Sequence, residues 1–271
     1  GRRQLCRTEQ AKPRRRFETL HRCADRRHAR KLRQRVLAAD AKKLQRARFQ
    51  VRQHVDRAGE HQVDGATAEQ IRQRGGEPGL ASTADSARVI GRDIPLATDV
   101  NCSWAIDATR EWLPKLAEID LAWLEEPIFP PEDFKTLASL RGHGVPISAG
   151  ENWCTAVQFE EALRQGAVDS IQPSVTKVGG VSECMRIANL AAQYDTLVLP
   201  HSPYFGPGLL ATLHLAAVQP GVPLVEYHYV ETDGWLYDIK GLLHDGLMHV
   251  PTAAGLGLEM NMSVFEQFRR S

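Results

Sequence analysis

Six polar residues punctuate the last two-thirds of this 271-residue chain at nearly constant intervals. Asp99, Glu125, Glu151, Ser174, His201 and Glu226 are separated by 26, 26, 23, 27 and 25 residues. Each sits at the end of a short apolar run of strand character, at 94–100, 121–124, 146–149, 168–172, 196–200 and 223–226. Amphipathic stretches at 103–116, 131–140, 156–165, 180–193 and 207–217 fill the gaps. Strands that alternate with helices pair in parallel through crossovers. An open doubly wound sheet is the alternative, but it would not gather six consecutive strand ends around one point. A (β/α) barrel does, because the C-terminal ends of its strands all line one mouth.

Three of those strand ends carry acids: Asp99 in Thr-Asp-Val-Asn, Glu125 in Leu-Glu-Glu-Pro and Glu151 in Ala-Gly-Glu-Asn-Trp. On adjacent barrel strands the three carboxylates converge within a few ångström. Like charges that close repel unless a cation neutralises them or protons bind. A set of oxygen ligands with open positions suits Mg²⁺. A solvated acid at a strand end is the plainer reading of any one of them, but it does not account for three in register.

Asp-x-Asn, Glu-Glu-Pro and Gly-Glu-Asn at these separations resemble the three metal-ligand motifs of the enolase superfamily, in its mandelate racemase/muconate lactonizing enzyme family. The resemblance covers roughly 86–260. It implies Mg²⁺ held by Asp99, Glu125 and Glu151, with Asn101 and Asn152 beside the ligands or facing substrate, and Glu126 in a structural role. Lys177-Val178-Gly179-Gly180 matches the family's Lys-x-Gly-Gly turn after the sixth strand. His201, in Leu-Pro-His-Ser, matches the histidine that acts as acid/base, and Glu226 the acid that hydrogen-bonds the developing oxyanion. The chemistry implied is removal of a proton α to a carboxylate, giving an enediolate whose charge the metal stabilises. Where the substrate carries a β-hydroxyl, loss of water makes the enzyme an acid-sugar dehydratase. A second base on the opposite face makes it a racemase or epimerase, and the single visible acid/base candidate favours the dehydratase.

Two departures from the family pattern stand out. The histidine of the family leans on an Asp at the end of the sixth strand, and here that position is Ser174. A hydroxyl can orient an imidazole but does not stabilise imidazolium as a carboxylate does. The family's Lys-x-Lys base motif, due some 25 residues before Asp99 on the barrel's strand spacing, occurs nowhere in the chain.

Residues 1–80 have a different texture. They hold 22 Lys+Arg against 9 Asp+Glu, whereas 81–271 hold 12 against 24. They contain no Ser, Asn, Trp or Tyr, and one Ile, Ile71. The family's capping domain is not recognisable there, and neither are the first two barrel strands. A basic helix over 31–55 and a Gly-rich linker over 56–85 are the only organisation the pattern offers. We read 1–85 as an out-of-frame translation of a GC-rich gene, with frame regained between Gly75 and Ser86, which would leave an impaired or inactive fragment of a larger enzyme. The rival is a genuine basic arm that binds nucleic acid on a non-catalytic barrel, with steep salt dependence. Only Phe17 and Phe49 are available there for base stacking and no reading motif is present, which argues against nucleic acid.

The expected fold is therefore α/β: a partial TIM-type (β/α) barrel over 86–271, like the enolase C-terminal domain, behind a basic segment over 1–85 that is helical or poorly ordered. The expected partner is a small carboxylate of the acid-sugar class. A homo-oligomer is compatible with the family. No apolar run approaches the ~20 residues of a membrane helix, and no apolar segment follows the basic start. Five cysteines without a Cys-x-x-Cys pair fit reduced thiols. The compartment expected is the cytoplasm.

Overall fold

The computed structural model describes residues 83–84, 86–88, 95–219, 224–228, 232–244 and 247–269. The basic segment 1–80, its expected helix and nearly all of the linker lie outside the described residues. Among those described, five parallel strands follow one another in sheet order: β1 (Ala97–Asp99), β2 (Trp123–Glu125), β3 (Ile147–Ala149), β4 (Ser170–Ile171) and β5 (Leu197–Val198). Between and after them run α1 (Ile106–Ile119), α2 (Phe134–Leu140), α3 (Ala156–Gln165), α4 (Val181–Gln193) and α5 (Pro207–Val218). The strands are two or three residues long, shorter than the apolar runs that announce them, because the ladder forms only where neighbouring backbones meet in register.

Local chemistry places the helices. The Asp133 side chain accepts from Thr136 N–H at the start of α2, and the Thr155 side chain accepts from Gln158 N–H at the start of α3. Each satisfies a donor that the first turn leaves without an intrahelical partner. Gly166 closes α3 in the left-handed region, at φ 65. Pro207 opens α5, where its missing N–H costs nothing.

Helix faces then pack on the sheet. Leu113 and Leu116 of α1, Leu137 and Leu140 of α2, Phe159 and Ala162 of α3, and Ile187 and Ala191 of α4 are buried against Leu124, Ile147, Ile171 and Val198. Each fully buried Leu, Ile or Phe contributes about 1.5–3 kcal/mol. Trp153 is fully buried edge-on between Phe134 and Phe159, and its Nε1–H donates to Pro131 O at 3.0 Å. A buried ion pair, Arg141 Nη2 to Asp169 Oδ1 at 2.7 Å, ties the end of α2 to the approach to β4. Asp169 also accepts from Ile147 N–H at 2.9 Å, so the pair fixes β3 against β4.

The sixth expected strand, 223–226, is corrected by the structure: 224–228 carry no strand. Leu224 still packs by Leu197. However, Pro200 and Pro203 have no N–H to give a ladder. The donors of Ser202 go instead to Glu226, backbone N–H to Oε2 at 2.9 Å and hydroxyl to the carbonyl at 2.8 Å. Beyond it, a small antiparallel pair, β6 (Leu243–His244) and β7 (Leu247–Met248), and a short helix α6 (Met262–Phe268) went unread in the sequence. No helix among the described residues is long and apolar enough to cross a membrane.

Candidate metal and acid–base site

Register brings the first two acids together. Asp99 and Glu125 are direct partners in the β1–β2 ladder, so their side chains leave the sheet side by side. Glu151 lies two residues past the end of β3, after Gly150, whose φ of +132 turns the chain inward. A Cβ at Gly150 would meet Gln172 N and Phe159 Cε1, each at 3.0 Å, so this turn requires glycine. One oxygen from each of Asp99, Glu125 and Glu151 lies within 4.8 Å of the others.

Each acid has its own support. Asn101 donates to both oxygens of Asp99, backbone N–H to Oδ1 and Nδ2 to Oδ2, each at 2.9 Å. Trp123 Nε1–H donates to Glu125 Oε2 at 3.0 Å, and Gln172 hydrogen-bonds the same carboxylate. Asn152 Nδ2 donates to Glu126 Oε2 at 2.6 Å and to Glu151 Oε1 at 3.3 Å. Cys102 Sγ–H also donates to Glu126 Oε2. Burial and this carboxylate hold the thiol far above its usual range. Glu126 thus anchors Asn152, the neighbour of Glu151.

The charges record the crowding. Burial, then the charge of Asp99, pushes Glu125 up to about 8, against the bonds from Trp123 and Gln172. Asp99 is pushed up to about 7 by burial and by Glu151, Glu126 and Glu226, against the Asn101 N–H. Its surface still reaches water, which screens part of that repulsion. Glu151 behaves oppositely. Burial alone would raise it, but the hydrogen bond and charge of His201, with Lys177 and Asn152, hold it below the usual carboxylate range.

These oxygens fit a hard divalent cation. Three carboxylates offer one oxygen each within a few ångström, and each pair of like charges at that spacing costs about 3 kcal/mol at an effective dielectric of about 20. Glu126 Oε1 and Gln172 Oε1 are buried without a partner among the described residues, acceptors suited to cation-bound water.

The other expected residues fall around this cluster. His201 Nε2 lies 2.9 Å from Glu151 Oε2. Lys177 Nζ sits on the other oxygen's side, 4.0 Å from Glu151 Oε1 and 3.3 Å from Asn152 Oδ1. Glu226 is held by Ser202, and its charge reaches both Asp99 and Glu125. Ser174 is fully buried, and its recorded hydrogen-bond partners are Thr176 and Tyr204. The hydroxyl of Tyr204 stands 3.4 Å from His201 Nδ1. Tyr204 was not anticipated; its place three residues after the histidine is the only sequence signal that marks it. Gln172 and Trp123, which hold Glu125, were missed for the same reason: each is an ordinary residue until the sheet sets its direction.

Comparison with known proteins places the chain among similar sequences and folds. A D-galactarolactone cycloisomerase of Agrobacterium fabrum is 29% identical over 206 residues, 72% of this chain and 54% of its own. An arabinonate dehydratase of Saccharolobus solfataricus is 30% identical over 185 residues, 67% of this chain and 49% of its own. This chain thus spans about half the length of these relatives. A crystal structure of an enolase from Bradyrhizobium, complexed with magnesium and mandelic acid, superposes with a TM-score of 0.59 at 28% identity, covering 72% of this chain and 53% of that one. The family described as enolase C-terminal domain-like matches residues 30–264, and the chain belongs to it, within the enolase superfamily.

Proposed function

We propose that this chain binds Mg²⁺ through Asp99, Glu125 and Glu151 and removes the proton α to the carboxylate of a small acid sugar, with loss of water to follow. The observation that supports it best is the convergence of the three carboxylates with an imidazole Nε2 2.9 Å from the third. Bound there, Mg²⁺ would act as a Lewis acid toward the substrate carboxylate as negative charge develops on it. His201 supplies the acid/base at Nε2, a role worth about 10²- to 10⁴-fold in rate. Glu126 and Asn152 keep Glu151 oriented, and Lys177 offsets its charge. Glu226, fixed by the Ser202 N–H, would hydrogen-bond the developing oxyanion.

The arabinonate dehydratase relative supports a dehydratase; the cycloisomerase relative, at similar identity, supports a second reading in which the same proton abstraction ends in isomerisation. Incubation of the purified chain with a panel of aldonates and aldarates, with and without Mg²⁺, separates them. A 2-keto-3-deoxy acid is expected, and only with the metal. An isomer that retains all its oxygens would favour the second reading. Absence of any metal-dependent product across the panel would refute both.

A further inference from the structure

The geometry points to Tyr204 as the positioning residue of His201: we propose that its hydroxyl, held by Ser174 and Thr176, fixes the imidazole through Nδ1 so that Nε2 faces the acidic cluster. The inference rests on the reading of His201 as the acid/base and deepens it. Its basis is a chain of three hydroxyls. Thr176 Oγ1–H donates to the Tyr204 oxygen at 2.8 Å, and Ser174 bonds the same oxygen. With its lone pairs engaged from that side, the phenolic proton is free to point at His201 Nδ1, 3.4 Å away.

The far side of the ring agrees. Nε2 lies 2.9 Å from Glu151 Oε2 while Nδ1 faces the Tyr204 hydroxyl, so each ring nitrogen has its own neighbour. A phenol can donate to a lone pair at Nδ1. It can equally accept from Nδ1–H while its own proton swings to Ser174, the arrangement that leaves Nε2 the lone pair a base needs. The hydroxyl chain therefore serves either tautomer from the Nδ1 side.

Packing holds the phenol in place. The two rings meet edge to face, centroids 5.9 Å apart and 85° between planes. Gly208, in the first turn of α5, lets the helix press on the Tyr204 ring. A Cβ there would lie 2.8 Å from Tyr204 Cδ2 and 2.8 Å from Thr176 Cγ2.

The test uses the full chain labelled with ¹⁵N-histidine, with His201 assigned through His201→Gln, and long-range ¹H–¹⁵N spectra of the ring nitrogens. Tyr204→Phe removes one oxygen and keeps the ring. It is expected to move the His201 Nδ1 resonance and to lower kcat about tenfold, the equivalent of one hydrogen bond of ordinary strength, with KM unchanged. Ser174→Ala combined with Thr176→Val, which frees the phenol instead of deleting it, is expected to act in the same direction. Tyr194→Phe, an exposed tyrosine outside the network, should do neither. If the His201 resonances stay where they are in both the Tyr204 and the Ser174/Thr176 variants, the inference fails. The spectra do not need turnover. Chain that is inactive on every substrate but shows the expected shift defeats the proposed function and leaves Tyr204 in its place.

Discussion

Cation binding to this site should depend steeply on pH, and the slope follows from the two raised carboxyls. Asp99 at about 7 and Glu125 at about 8 compete with a metal for their own protons. Because they share one site, the protons belong to the pair. At pH 6 the pair holds about 1.9 protons, at pH 9 about 0.1, so binding should release roughly two protons at the lower pH and almost none at the higher. Apparent affinity should tighten about 10³-fold between them, about 4 kcal/mol. The sign for stability is the reverse. Folded-state values raised above the unfolded ones mean that stability present near pH 4 is lost as pH rises through 7 to 8. The metal-free Tm should therefore fall over that window, and Mg²⁺ should restore it. Calorimetric titration in two buffers of different ionisation enthalpy counts the protons. An affinity flat from pH 6 to pH 9, or no proton release at pH 6, would refute the reasoning.

Three further outcomes follow from named contacts. Glu125→Gln removes one of the crowded charges and should raise the stability of the metal-free protein at pH 8 by about 1–3 kcal/mol while abolishing cation binding, read by melting with and without Mg²⁺. Gly150→Ala puts a methyl group against Gln172 N and Phe159 at a φ of +132 and should cost about 1–3 kcal/mol in urea unfolding, with weaker cation binding because Glu151 is its neighbour. Asp169→Ala takes the carboxylate from the half-buried Arg141, which keeps its bond to the Gly166 carbonyl, and from the Ile147 N–H, and should cost about 2–4 kcal/mol, measured the same way.

The acids were legible in the sequence because their signal is periodic. A crossover of nearly fixed length sets the spacing, and β-sheet register then puts Asp99 beside Glu125 with no further instruction. The core helices were legible for a similar reason, since their apolar residues recur on one face, as Phe159, Ala162 and Leu163 do in α3. The sixth strand was misread because an apolar run ending in Glu226 has strand character, whereas pairing depends on its neighbour, and Pro200 and Pro203 withhold donors. The neighbours of His201 were illegible. Ser174 stands in phase to touch the histidine, yet the side chain that reaches His201 Nδ1 belongs to Tyr204, placed by the close approach of Gly208 in a way no spacing rule encodes. Glu126, Trp123 and Gln172 likewise acquire their roles only from the direction in which the folded sheet points them.

The central claim, that the three carboxylates and His201 act together on a hydrogen α to a carboxylate, meets its most direct test in solvent exchange. The chain is incubated in D₂O with each acid sugar and Mg²⁺, and deuterium at the α-carbon is followed by NMR, so that even a slow or partial reaction registers. The account predicts incorporation that requires Mg²⁺, disappears in Asp99→Asn and disappears in His201→Gln. Incorporation that persists in either variant, or its absence from the unaltered chain with every substrate, would contradict it.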